Sequence, residues 1–216
     1  AQNAAAPIET AAQDGNDENS SETVSDDTVP SLACYRSMRI KVNQGKGKRI
    51  HFQFSLDEVD LYHAKLKTKH QFEPIPIARG NEVHYSHGAE FYLIPNEEFT
   101  EYSLRHNDDE IMFCKFEKRK KEPKVIEVTW TENPDSPIKL VSQEAEKTDA
   151  GTYCLDFDGR YAEPSIKNCI LVTAETQEIV AMFRRVDEWE MNVDAKPNYP
   201  DLMLFAVLLC LNVCPF

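Results

Sequence analysis

Six cysteines carry the most visible chemistry of this 216-residue chain. Cys34, Cys114, Cys154 and Cys169 are spread as a disulfide framework would be in an oxidising compartment. Cys154 and Cys169 flank adjacent apolar runs, so they are expected to pair with each other and to leave Cys34 for Cys114. Cys210 and Cys214 lie four residues apart and share a face if helical. That spacing suits neither a zinc knuckle nor a redox pair, so these two are assigned to further disulfides or to the apolar tail that holds them. His84 and His87 form a close pair, but on a strand the residues of H-Y-S-H point to alternate faces and do not share a metal. Asp156-Phe157-Asp158-Gly159 lacks the other ligand positions of a calcium loop and reads as a β-turn. The run Lys118-Arg119-Lys120-Lys121 reads first as a solvated loop, with a patch for an anionic partner as the functional alternative.

The chain has no G-x-S-x-G, H-E-x-x-H, P-loop or G-x-G-x-x-G pattern. No catalytic residue, metal or cofactor is expected, and the chain reads as a non-enzyme. Its net charge of −13 argues against a nucleic-acid partner for the chain as a whole. Residues 1–33 contain seven Asp or Glu and no Lys or Arg. With almost no aliphatic pattern, this segment reads as a disordered acidic leader. It carries the glycosylation sequon Asn19-Ser20-Ser21. An opening Ala in place of Met is taken as the product of signal-peptide removal, which points to an extracellular protein.

These residues must be held by strands. Short apolar or alternating runs recur at Arg39–Val42, Arg49–Ser55, Val59–Leu66, Glu90–Pro95, Ile111–Phe116, Val125–Trp130, Ile138–Val141, Tyr153–Phe157, Ile166–Thr173 and Ile179–Phe183. Turn residues separate them, and no long 3.6-residue period appears before residue 200, so the fold class is all-β. Residues 34–190 form the β-rich folded region, with a candidate split near residue 107 in R-H-N-D-D.

Asp149, Gly151 and Tyr153 form a D-x-G-x-Y pattern between two apolar runs, with Trp130 and Cys114 upstream. From Phe113 to Phe157 this resembles the tyrosine corner of immunoglobulin-superfamily domains. The resemblance implies an antiparallel immunoglobulin-like sandwich. In it Tyr153 bonds backbone near Ala145–Glu146, Asp149 and Gly151 hold the turn, and Trp130 packs beneath. One departure is that Cys154 directly follows Tyr153, so the two side chains take opposite faces. The alternative is a single lipocalin-like barrel with a C-terminal helix, although the G-x-W signature of that family is missing.

Residues 191–216 form a polar spacer and then an uncharged tail, L-M-L-F-A-V-L-L-C-L-N-V-C-P-F. Fifteen residues are short for a membrane span. Apolar on every side, the tail suits a lipid-anchor signal somewhat better than a helix packed on a surface. The expected function is extracellular, non-catalytic recognition of a protein or glycan, secreted or held at the cell surface, with any membrane link through the tail alone. The alternative is a secreted carrier or scavenger of a small hydrophobic or amine ligand.

Overall fold

The computed structural model describes residues 31–44, 47–68, 72–81, 88–119 and 122–215. The strands are β1 (Ala33–Gln44), β2 (Gly47–Leu56), β3 (Val59–Lys67), β4 (Ile75–Arg79), β5 (Phe91–Pro95), β6 (Glu101–His106), β7 (Asp109–Phe116), β8 (Ile126–Trp130), β9 (Ile138–Ser142), β10 (Glu146–Lys147), β11 (Tyr153–Cys154), β12 (Cys169–Thr173), β13 (Ile179–Arg185) and β14 (Glu190–Ala195). The chain ends in one helix, α1 (Asp201–Val213).

All strands but β10 and β11 close into an antiparallel barrel, in the order β1-β14-β13-β12-β9-β8-β7-β6-β5-β4-β3-β2. β1 closes it by pairing with β2 on one side and β14 on the other. Two open sheets packed face to face, as an immunoglobulin sandwich requires, are not present among the described residues. Closure leaves no barrel strand as a free edge. Asn107, at φ +55°, sits in the tight turn of the β6–β7 hairpin, so R-H-N-D-D lies inside the barrel wall.

The strands form where alternation supplies an inward apolar row. Ile50, Phe52 and Phe54 of β2 and Tyr62, Ala64 and Leu66 of β3 are buried, while the residues between them face outward. Three barrel strands escape a reading of the sequence: β4, β6 and β14. β4 has five residues including Pro76, and β6 presents only Tyr102 and Leu104 to the core. β12 and β13 read as near-continuous apolar runs because both their faces are covered. Their outer face packs Ile170, Val172 and Met182 against Phe157, which belongs to the excursion between β9 and β12.

The lumen is filled by α1. Leu202 through Leu211 are all buried, in one cluster with the inward residues of the wall. Phe205 stacks on Phe54, with centroids 5.2 Å apart, and on Tyr62 at 6.0 Å. Thirteen residues span about 20 Å, the height of a short barrel. The reading of this tail as a detachable anchor signal is therefore corrected. A helix surrounded by a barrel must be apolar all round, as a membrane-inserted one must be. The carrier alternative placed such a helix outside an open cavity; here it occupies that space.

The helix is fastened at both ends. The Tyr35 hydroxyl donates to Asp201 Oδ1 (2.6 Å) in the first turn. At the other end Lys124, 5% exposed, donates from Nζ to the Cys214 carbonyl (2.9 Å). A cation there complements the negative end of the helix dipole.

All six cysteines are free thiols, which overturns the expected framework. Cys34 is exposed on the outside of β1, whereas Cys114 faces the core from β7. Cys154 is exposed on β11, and Cys169 is buried on β12. Cys210 and Cys214 are buried with α1. No pair is bridged, so the support that disulfides lent to secretion and to a removed signal peptide falls away.

Candidate cation-lined binding surfaces

The supposed corner does not assemble. Trp130 is buried in the barrel core on β8, opposite Met112 and Ile138. Asp149, Gly151 and Tyr153 belong to the two-stranded β10–β11 ribbon outside the barrel. Gly151 closes the ribbon tip at φ +77°, a conformation that L side chains rarely adopt, and donates to the Thr148 carbonyl (2.8 Å). Tyr153 is half-exposed. Its hydroxyl bonds Glu122, and that bond raises its pKa; it does not reach backbone near Ala145. The D-x-G-x-Y pattern marks a hairpin tip, because a turn needs the same residues wherever it occurs.

In the basic run Lys118 pairs with Glu98 (2.7 Å) and Arg119 with Glu117 (2.8 Å). Lys120 and Lys121 lie outside the described residues, as do His84, His87, Asn19 and the acidic leader up to residue 30. Among the described residues no cluster of His, Cys, Asp or Glu has the arrangement of a metal site.

Two cation-lined surfaces do form, both involving the β1–β2 wall. The first is the outer face of β2 and β3. The register sets Arg49 opposite Lys67 and His51 opposite Lys65. Because Ile50, Phe52, Ala64 and Leu66 take the inward positions, these four point outward. Neighbouring strands are about 4.8 Å apart and alternate residues about 7 Å, so the four occupy one small patch. Lys67 also meets Glu73 (2.7 Å).

The patch arises from uneven charge. Residues 33–67 carry eight Lys or Arg against three Asp or Glu, in a chain whose net charge is −13. Net charge is therefore a poor guide to partners here, and the exclusion of nucleic acid drawn from it is not upheld. The signal was present in the sequence as cations at every second position of R-I-H and K-L-K.

The second surface is a pocket of about 100 Å³ at the barrel mouth, where the C-terminal end of α1 comes up between β1, β13 and β14. Arg39 of β1, Lys167, Arg185 of β13 and Asn212 of α1 line it, with Ser37 and Trp189. Arg39 continues the inward row of Tyr35 and Ser37 beyond the apolar core. Lys167 Nζ donates to Asn212 Oδ1 (3.1 Å), a neutral acceptor. Burial, and after it the charges of Arg39, Arg185 and Lys124, push the Lys167 amine down to about 8.

Carboxylates also border this pocket, but each is engaged. Glu190 holds Arg36 (2.7 Å), and Glu188 lies 3.7 Å from Lys41. Asp187 Oδ1 accepts from the backbone of Trp189 (2.6 Å) and Glu190 (2.8 Å). A wider groove of about 820 Å³ runs along residues 151–168, but its lining brings no comparable set of cations together.

The chain is a closed antiparallel barrel wound round its own helix, with a filled lumen and cation-lined surfaces outside it. Residues 90–213, more than half of the chain, match the family model described as the Tub family, and the chain belongs to that family. The match runs from just before β5 to the end of α1. It replaces the immunoglobulin-superfamily assignment, and it agrees with the single-barrel alternative in architecture. The Tub family is one of non-catalytic binding domains. Comparison with curated proteins returns no match.

Proposed function

We propose that this protein is a non-catalytic binding module that takes a phosphate-bearing partner on the outer face of β2 and β3, with a phosphoinositide-type membrane headgroup as the preferred one. The observation that carries this reading is the direct opposition of Arg49 to Lys67 and of His51 to Lys65. Arg49 and Lys67 are like charges opposite one another on a sheet, which is destabilising. A multiply charged anion laid across them turns that repulsion into charge-assisted hydrogen bonding.

Tub-family domains in general bind phosphoinositides and DNA, which supports an anionic partner. The patch spans two strands, a match for one headgroup in size, and the strong negative charge elsewhere on the chain opposes a long polyanion. The filled lumen leaves no room for the enclosed small ligand of a carrier.

Sedimentation with vesicles tests this. The protein is expected to bind phosphatidylcholine vesicles doped with phosphatidylinositol bisphosphate, with an affinity that falls as salt rises, and to ignore undoped vesicles. The double variant K65Q/K67Q is expected to bind about tenfold more weakly or worse, at roughly 1 kcal/mol per removed cation. Undiminished binding by that variant would reject the patch. Tighter binding to duplex DNA than to doped vesicles would reassign the partner.

A further inference from the structure

We propose that the mouth pocket is a second and separate site, which binds one tetrahedral oxyanion, a phosphate or sulfate group, between Arg39, Lys167 and Arg185. It does not rest on the β2–β3 reading and stands if that reading fails.

Three observations converge on it. The first is uncompensated charge. Among the described residues the Arg39 guanidinium makes no hydrogen bond or ion pair, although the residue is half-buried. Lys167 has only the Asn212 amide oxygen. The third cation, Arg185, donates from Nε to the Asp187 carbonyl (2.9 Å) and lies 3.4 Å from Glu163. Burial is the larger cause of the lowered proton affinity of Lys167, and the cations Arg39, Arg185 and Lys124 add to it.

The second is that the carboxylates lining the pocket are engaged elsewhere, so that Glu163, 3.4 Å from Arg185, is the one acidic partner the three cations have among the described residues. Glu190, Glu188 and Asp187 are held by Arg36, by Lys41 and by backbone N–H groups in the turn before β14. The third is size. A volume of about 100 Å³ admits a small oxyanion and is well below the roughly 300–1,000 Å³ of pockets for larger ligands. Planar guanidinium groups with an ammonium between them match the geometry of such an anion. Gathering these half-buried cations costs stability unless an anion relieves it.

Isothermal titration with inorganic phosphate, with inorganic sulfate, and with chloride at matched ionic strength tests the site. Phosphate or sulfate is expected to bind saturably at one site per chain, and chloride is not. R39Q and K167M are each expected to weaken binding by about tenfold or more. K115Q, on the exposed face of β7, is expected to leave anion binding unchanged, and a loss of binding in K65Q/K67Q but not in R39Q would assign the anion to the β2–β3 face and overturn the site. Circular dichroism and the anion-free melting temperature report whether each variant folds, and if K167M does not, R39Q decides. No heat beyond the chloride control, or equal affinity in R39Q, would overturn the assignment.

Discussion

The Tyr35 hydroxyl and the Asp201 carboxylate, 166 residues apart in sequence, share a 2.6 Å hydrogen bond between the first strand and the first turn of the central helix. α1 has no side-chain N-cap, since Pro200 stands at that position, so this bond is the polar fastening of the helix start. Burial, and then Asp201, raise the phenol far above its ordinary range, so the hydroxyl remains a donor at physiological pH. Tyr35→Phe is expected to cost about 1–2 kcal/mol in a denaturant titration. A smaller cost would mean that water replaces the bond.

Phe205 stacks against both Phe54 and Tyr62 of the wall. Phe205→Ala leaves a void that a closed wall cannot collapse to fill. The expected loss is about 3–5 kcal/mol, read as a shift in the denaturation midpoint without a change in slope.

Arg184 and Asp194 form a buried pair (2.6 Å) outside the barrel wall, and Arg184 also donates to the Tyr161 carbonyl (2.5 Å). This fastens the 155–168 excursion to β13 and β14. Arg184→Leu strands a buried carboxylate, at a cost of about 3 kcal/mol because Arg160 stands 3.7 Å away as a partial substitute. Limited proteolysis of that variant is expected to cut first within the excursion, and cleavage elsewhere first would contradict this role.

His63 is 3% exposed, and burial, then the charges of His51 and Lys65, hold its imidazole down to about 4. An unfolded histidine titrates near 6.5. Between those values the unfolded chain binds the proton and the folded one does not. The contribution is therefore fully present above about pH 6.5 and is lost as pH falls towards 4. Urea midpoints across this window are expected to fall by about 1–3 kcal/mol in wild type and to fall less in His63→Leu. Parallel profiles would assign the acid loss to other groups.

The thiols divide by burial. Iodoacetamide is expected to label Cys34 and Cys154 in the native protein, and Cys114, Cys169, Cys210 and Cys214 only after unfolding. Burial and then the nearby Asp194 raise the Cys34 thiol, so its labelling is expected to speed up markedly as pH rises. A pair that resists alkylation until a reductant is added would restore a disulfide.

The period-2 rows in R-I-H-F-Q-F-S and similar runs determine that these segments are strands and which residues share a face, because side-chain alternation is a local property. The absence of any catalytic motif and the need to bury Leu202–Leu211 are equally local, as is the cation alternation that marks the β2–β3 patch. What lies across from each face is not. Strand order, closure through β1 and the choice of the helix as the filling depend on hydrogen bonds and contacts between residues far apart in sequence. An all-apolar helix satisfies a bilayer and a barrel equally, so its composition does not choose between them. The same holds for the D-x-G turn, which serves a free ribbon tip as well as an immunoglobulin corner. Arg39, Lys167 and Arg185 stand 128 and 18 residues apart along the chain; only the mouth of the closed barrel brings them to one pocket.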